Sequence, residues 1–338
     1  MGICAERQRD VLQFIVRSYI DTALPVGSKH LVDKYRMKYS AATVRNDMAT
    51  LENMGYIKQP HTSAGRIPTD EGYKFYVESL MKEEKVSSLE KEEIYEKMDR
   101  VGSNVNLILE EATRILGKIS QELSIVITPW VSWGIFDRLE LIKLNEKKIL
   151  VVIHVQARSV KTIILTVKSD LKQSDLEKAA SILNERLNGL TLETIQQTIH
   201  ERIKDVKGAN KLLLQQVTYS ASDLFDFSEP FEVYTGGTEN ILFQPEFTNT
   251  TMLQSILYLI DNRKYLIHLF NRKSNKIEIT IGQENKDKRL HSFTVITTSY
   301  QRGKDIGTLG IIGPTRMRYS KILPLIETMA MVMSHYLS

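Results

Sequence analysis

The chain has 338 residues, of which 42% are hydrophobic and 25% are charged, and its formal net charge is +4 at pH 7. This length is enough for about two domains with sizeable cores. The single cysteine, Cys4, excludes an internal disulfide framework. The mild basicity excludes a broad cationic coat for non-specific nucleic-acid binding.

The sequence also lacks the signals of membrane insertion and secretion. No apolar run approaches the roughly 18 residues that a membrane span requires, and the longest candidate, Ile149–Val155, has the length of a strand. The opening MGICAERQRD contains no apolar core of a secretory signal. We therefore expect a soluble, cytoplasmic protein.

Three helices are predicted at the N-terminus. Apolar residues recur at helical spacing in Arg7–Thr22, and Ser28 is expected to cap a second short helix over Lys29–Lys38. Ser40 is expected to cap the third helix, since its hydroxyl can accept a hydrogen bond from the first turn. One face of this third helix is apolar and must be buried: Val44, Met48 and Leu51.

The opposite face of the third helix carries side chains suited to reading DNA. Asn46 can pair bidentately with adenine, Arg45 can do so with guanine, and the Thr43 methyl group can touch thymine. These three residues are predicted to read bases, and Ser40 is predicted to touch phosphate. An ordinary amphipathic helix with its polar residues outward is the alternative, and this helix alone does not decide between the two.

The flanking sequence favours a winged helix-turn-helix. A tight turn joins the second and third helices, and two short segments bracket HTSAG as the strands of a hairpin, in which Gly65 is free to adopt a positive φ. Residues 28–68 contain seven Lys/Arg and three Asp/Glu, a net charge of +4. Five hairpin residues are predicted to contact phosphate or the minor groove: Lys58, His61, Thr62, Ser63 and Arg66.

The chain as a whole is predicted to be an α+β multidomain protein. Residues 1–82 form the DNA-binding domain, and the acidic segment 83–103 forms a charged linker. Helical and strand patterns indicate a mixed domain built from residues 104–170 and 231–338. Residues 171–230 read as a helical insertion, whose surplus of apolar side chains indicates a partner surface.

Several segments resemble the HrcA family of bacterial heat-inducible transcription repressors. They are VGSKHL, SAATVRNDMATLENMGYI and QPHTSAGRIPTDEGYKFYV near the N-terminus, and IGQEN and GIIGPTRMRYSK near the C-terminus. Residues 83–230 match in general layout only. The resemblance implies an N-terminal winged-helix domain followed by a GAF-like domain that carries an inserted dimerisation domain.

The same resemblance implies a function. The protein would be a homodimeric repressor of chaperone operons that binds double-stranded DNA at the CIRCE inverted repeat. The chaperonin GroE would keep the repressor active until heat diverts the chaperonin to unfolded proteins. Because such control requires an active state that is easily lost, it implies a marginally stable protein.

No residue pattern points to a catalytic, cofactor or metal site. None of the seven histidines is spaced with another His or a Cys as a metal pair. GTLGIIG is neither a dinucleotide fingerprint nor a P-loop, and its glycines are expected at strand-end turns and in close packing. We therefore predict a non-enzymatic protein without a cofactor. Two alternatives stay open: a regulator whose GAF-like domain binds a small molecule, and an enzyme with a winged-helix appendage.

Two C-terminal segments have competing interpretations. For residues 283–285 we favour a satisfied turn, with a polar contact network as the alternative. For residues 313–318, which contain Arg316, we favour a turn that starts the last helix. An anion or interdomain contact is the alternative there.

Overall fold

The computed structural model describes residues 5–61, 64–128, 135–155, 159–167, 171–206, 210–220, 224–225, 232–270, 276–303 and 305–338. The architecture is mixed α+β. The chain divides into two compact units, the first formed by Met1–Pro129 with Glu232–Ser338 and the second by Trp130–Phe231.

Three helices and a small hairpin open the first unit. The helices are α1 (Glu6–Thr22), α2 (Ser28–Tyr35) and α3 (Ala41–Asn53), and the antiparallel hairpin consists of β1 (Ile57–Lys58) and β2 (Ile67–Pro68). The order of elements is the predicted one. The start of α2 differs, because Gly27 is its N-cap and Ser28 is a buried residue of the first turn.

A helix was predicted to begin after Thr69 and to run to about Lys82, and the structure confirms it. The Gly72 amide donates to the Thr69 hydroxyl at 3.1 Å, which caps α4 (Asp70–Phe75), and a π-helical turn (Tyr76–Leu80) continues it. The predicted charged linker contains α5 (Ser88–Val101). This helix packs into the core because Ile94 and Met98, four residues apart, are both fully buried.

The second unit is a three-stranded sheet covered by helices. Its elements follow α6 (Val105–Ser120) and β3 (Leu123–Ile127) of the first unit. The strands are β4 (Phe136–Asn145), β5 (Lys148–Val155) and β6 (Ser159–Thr166), all antiparallel. The helices that the structure describes here are α7 (Gln173–Leu187), α8 (Leu192–Arg202) and α9 (Asn210–Tyr219).

The extent of this unit differs from the predicted insertion, which began at residue 171. In the described residues, β4, β5 and β6 pair with one another and share one core with α7. The Asn184 side chain joins this helix to the sheet, since its Oδ1 accepts from the Leu139 amide at 2.7 Å and its Nδ2 donates to the Leu139 carbonyl at 3.0 Å. Short loops predict that β4, β5 and β6 pair with one another. They do not predict whether these strands join the larger sheet or form a separate one.

A five-stranded antiparallel sheet forms the centre of the first unit. Its order is β7 (Val233–Gly236), β3, β10 (Asp305–Pro314), β9 (Phe293–Arg302) and β8 (Glu278–Ile281). The helices α10 (Thr250–Asp261), α11 (Arg263–Phe270) and α12 (Tyr319–Tyr336) complete this part. Because β3 pairs with β7, the chain leaves and re-enters this unit at neighbouring strands.

The glycines of GTLGIIG all lie within β10 and serve close packing. A Cβ on Gly310 would lie 1.9 Å from the Phe270 ring, and one on Gly307 would lie 2.2 Å from the Tyr300 ring. A Cβ on Gly313 would lie 2.2 Å from the Glu122 carboxylate. Close packing of these glycines is thus confirmed, whereas their predicted placement in strand-end turns is wrong.

Glu122 is a buried acid in the centre of this packing. Its Oε2 accepts a hydrogen bond from Gln244 Nε2 at 2.8 Å. Burial raises the pKa of the Glu122 carboxyl to about 8, because desolvation disfavours the charged form; the bond from Gln244 acts in the opposite direction.

The raised pKa predicts that stability falls as the pH rises. In the unfolded chain this carboxyl loses its proton near pH 4.5, whereas the folded protein retains it until about pH 8. Its contribution to the free energy of unfolding is therefore complete below pH 4.5 and is lost as the pH rises through 8. Glu122→Gln should remove that part of the pH dependence. Urea unfolding at several pH values from 5 to 9 measures it, and an unchanged profile in the variant would contradict the assignment.

Candidate nucleic-acid interface

The first turn of α3 is fixed by its cap. The Thr43 amide donates to the Ser40 hydroxyl at 3.1 Å, and the two hydroxyls lie 2.9 Å apart. The predicted cap is therefore confirmed. Because the Thr43 hydroxyl is occupied by Ser40, its methyl group is the part of the side chain left for other contacts.

An ion pair between an exposed arginine and a buried aspartate fixes α3 against α1. Arg7 donates from Nε to Asp47 Oδ2 at 2.6 Å and from Nη2 to Oδ1 at 3.0 Å. Asp47 is only 3% exposed. This bidentate geometry sets both the distance and the rotation of α3 relative to α1. This pair was not predicted, although Asp47 stands three residues after Val44 on the apolar face.

One face of α3 is buried and the other is open. The predicted core residues Val44, Met48 and Leu51 are all buried. On the opposite side, Arg45 and Asn46 are exposed, and small side chains lie beside them. The exposed small or amide residues of this face are Ala42, Ala49 and Asn53.

The hairpin is fastened to the segment before α2. The Val26 amide donates to the Arg66 carbonyl at 2.9 Å, and the Arg66 amide donates to the Val26 carbonyl at 2.8 Å. A Cβ on Gly65 would lie 2.5 Å from the Val26 backbone. Glycine is required here by this close approach, and the predicted reason, a positive φ, is wrong.

The structure describes three of the five residues of the hairpin that are predicted to contact DNA. Lys58 and His61 are exposed. Arg66 instead pairs with Glu52 of α3, its Nε lying 2.9 Å from Glu52 Oε2. Glu52 Oε1 also accepts from the Gln59 amide at 3.1 Å, so this acid ties the hairpin to α3. Two of the predicted contacts, Thr62 and Ser63, lie outside the described residues.

Across the described ranges, no three His, Cys, Asp or Glu side chains are grouped so that they could hold a metal ion. None of the helices described is both long and apolar enough to cross a membrane.

Comparison with known proteins gives the family. The sequence model of the HrcA protein C-terminal domain matches residues 106–323. The chain belongs to the HrcA family. A heat-inducible transcription repressor HrcA of Chlorobium phaeobacteroides strain BS1 is 37% identical over 354 residues, covering 99% of this chain and 98% of its own length.

Two further comparisons cover nearly the whole chain. The heat-inducible transcription repressor HrcA of Chlorobaculum tepidum is 37% identical over 346 residues, covering 98% of this chain and 97% of its own. A crystal structure described as a hypothetical protein at 2.2 Å resolution aligns with a TM-score of 0.59 and 26% identity, covering 99% of both chains. The sequence similarity to HrcA relatives therefore extends over the N-terminal residues as well as the matched C-terminal region.

Gly65→Ala should destabilise the hairpin by about 1–3 kcal/mol, because the new methyl group collides with the Val26 backbone. Thermal or urea unfolding of the full chain measures the effect. Gly27→Ser is the matched control, since a Cβ at Gly27 meets nothing within 4 Å. Equal stability of Gly65→Ala and the unmodified protein would contradict the close approach.

Proposed function

We propose that this protein is a heat-inducible transcriptional repressor that binds the CIRCE inverted repeat through a winged helix-turn-helix. The observation that carries the proposal is the rigid mounting of α3. Its apolar face is buried and Asp47 is held by Arg7, while Arg45 and Asn46 are exposed on the opposite face. A helix mounted in this way can enter a major groove. The names of the HrcA relatives support the same function.

The exposed residues of α3 receive base-reading roles. Asn46 pairs with adenine and Arg45 with guanine, since their side chains offer bidentate hydrogen-bond geometry. The Thr43 methyl group touches a thymine, which agrees with the engagement of its hydroxyl by Ser40. The small neighbours Ala42 and Ala49 let the helix approach the base edges closely.

The hairpin receives a backbone-contacting role. Lys58 and His61 hold phosphate, and the same role is proposed for Thr62 and Ser63 from the sequence. We assign Arg66 a positioning role in place of a phosphate contact, because its guanidinium is paired with Glu52. Ser40 contacts phosphate at the N-terminus of α3, where the helix dipole favours an anion.

The second unit is proposed to form the homodimer. Its sheet has an apolar row on the side away from α7, since Ile142, Leu150 and Ile164 are direct neighbours across the three strands. Ile142 is 40% exposed and Ile164 is 57% exposed. Val160 and Leu144 are exposed as well. An apolar face of this extent favours a protein partner, and a second copy would match the two-fold symmetry of an inverted repeat.

Regulation by heat is the last part of the proposal. The chaperonin GroE maintains the active protein, and heat diverts the chaperonin to other unfolded proteins. The relatives' description as heat-inducible supports regulation by temperature. The small hairpin supports it physically, because two-residue strands contribute little stability of their own.

A mobility shift tests the function directly. Purified protein is titrated onto a CIRCE duplex and a scrambled duplex of equal length, at two salt concentrations, with and without chaperonin. We expect a preference for CIRCE that persists at the higher salt and increases with chaperonin. Equal, salt-sensitive binding to both duplexes would reject the repressor function.

Variants separate base reading from backbone contact. Asn46→Ala or Arg45→Ala should cost about 1–3 kcal/mol of discrimination between the two duplexes. Lys58→Ala should weaken binding to both duplexes and lower the slope of log affinity against log salt by about 1. Lys91→Ala on the exposed face of α5 is the matched control for loss of a positive charge. Unchanged discrimination by Asn46→Ala would exclude α3 as the reading helix.

Ile164→Arg should abolish the dimer, because it places a charge on the most exposed residue of the apolar row. Sedimentation velocity of the full chain measures the oligomeric state. Glu177→Arg is the control, since it introduces the same side chain at an exposed position of α7. A dimer that survives Ile164→Arg would place the interface elsewhere.

A further inference from the structure

The IGQEN segment forms a rigid loop around Asn285. This side chain is 4% exposed. Its Nδ2 lies 2.9 Å from the Gly282 carbonyl, 3.1 Å from that of Leu290 and 2.9 Å from that of Phe293. Its Oδ1 accepts from the Thr280 hydroxyl at 2.7 Å. Asn285 therefore joins several backbone groups of the loop. The turn that we favoured for residues 283–285 is present, and the alternative, a polar contact network, is present as well.

This loop receives the start of α4. The Gln283 amide donates to Asp70 Oδ2 at 3.1 Å. Gly282 has a φ of 55°, and a Cβ there would lie 2.0 Å from the Asp70 carboxylate. Lys74, one turn further along α4, pairs with Glu284. The loop thus binds two side chains of the helix that directly follows the hairpin.

Arg316 of the GPTRMRYS segment makes a second contact. Its Nη1 donates to the Ile20 carbonyl at 2.6 Å, in the last turn of α1, where carbonyls lack helical partners. Its Nη2 lies 3.1 Å from Glu246 Oε2, and both side chains of this pair are largely buried. The favoured interpretation of residues 313–318 is confirmed in part, because residues 315–318 form the bend that leads into α12 at Tyr319, although Pro314 itself ends β10. Arg316 additionally makes a contact with α1 inside the first unit.

An apolar contact lies between these two polar ones. The rings of Tyr73 in α4 and Tyr319 in α12 are 6.0 Å apart and both are buried. The Tyr319 hydroxyl donates to the Thr315 carbonyl at 2.7 Å. The Tyr73 hydroxyl is buried without a hydrogen-bond partner among the described residues. Because an unpaired buried hydroxyl is unfavourable, it weakens the contact between α4 and α12.

We propose that these contacts form a latch that fixes the DNA-reading helices relative to the five-stranded sheet. Asp70 and Arg316 are its positioning residues. The inference rests on the proposed function and adds a property to it, namely that the C-terminal motifs control how α3 is presented. The latch uses α1 and α4, and it leaves the exposed face of α3 open.

The physical effect of the latch is preorganisation. An inverted repeat is bound by two reading helices at once, so the second contact gains affinity only if each helix is held in a suitable direction. Opening the latch lets α1–α4 and the hairpin strands move about the π-helical turn and the irregular segment 81–87, which connect them to α5. The affinity for a single half-site is then unchanged, while the affinity for the full repeat falls.

The test compares Asp70→Ala and Arg316→Met with two controls. Asp70→Asn retains an oxygen that accepts from the Gln283 amide, and Glu71→Ala removes the neighbouring acid with the same change of charge. The full chain is titrated onto a complete CIRCE duplex and onto a single half-site duplex. We expect Asp70→Ala and Arg316→Met to bind the complete duplex at least about tenfold more weakly and the half-site within about twofold of the unmodified protein. Both controls should bind as the unmodified protein does.

Hydrogen exchange of the same proteins without DNA supplies an independent measurement. Amides of α4 and of residues 281–285 should exchange faster in Asp70→Ala, with exchange in β4–β6 unchanged. The latch is rejected if exchange is unaltered, or if both duplexes lose affinity by the same factor. If the unmodified protein shows no preference for CIRCE over a scrambled duplex, the proposed function fails, and hydrogen exchange alone still decides whether the latch exists.

Discussion

The burial of one face of α3 is the constraint on which the proposed DNA interface depends. A helix advances by about 100° per residue, so rotating α3 by one position would turn Asn46 toward the core and expose apolar side chains. Leu51 and Val44 oppose this rotation because their side chains would lose their burial. The Arg7–Asp47 pair opposes it because its two hydrogen bonds are directional. Burial alone tolerates small rotations, whereas a bidentate pair does not. The two together hold the exposed face in a single orientation.

The hairpin and the sheet depend on close backbone contacts of a similar kind. Gly65 lets the hairpin reach the Val26 backbone, and Gly282 lets the IGQEN loop reach Asp70. In both places the chain uses the absence of a side chain to bring two segments within hydrogen-bond distance. The elements so joined are short, and they gain their order from the larger core of the first unit, which runs without a break from α1 to α12.

The second unit is inserted between two neighbouring strands, so the five-stranded sheet keeps its strand pairing. The chain departs after β3 and returns at β7, which are hydrogen-bonded neighbours, and the Thr128 amide still donates to the Glu232 carbonyl at 3.1 Å. A long excursion between adjacent strands adds only slowly to the entropy of closing the loop. The second unit can therefore have its own core and present an apolar sheet face while the central sheet keeps its pairing.

Features that depend on neighbours along the chain could be predicted from the residues alone. Periodicity defined α1 and α3, Ser40 and Thr69 were recognisable caps, and the exposed face of α3 followed from its buried one, because each of these is a matter of helical geometry within one segment. The partners of charged side chains and the sheet to which each strand belongs became known from the folded chain alone. Asp47 meets Arg7 across 40 residues, Arg66 meets Glu52, and Arg316 meets the end of α1, while β4–β6 form a sheet apart from β3. Ion pairs and strand pairing depend on which surfaces meet in the folded chain. The spacing of residues along the sequence does not predict which surfaces those are.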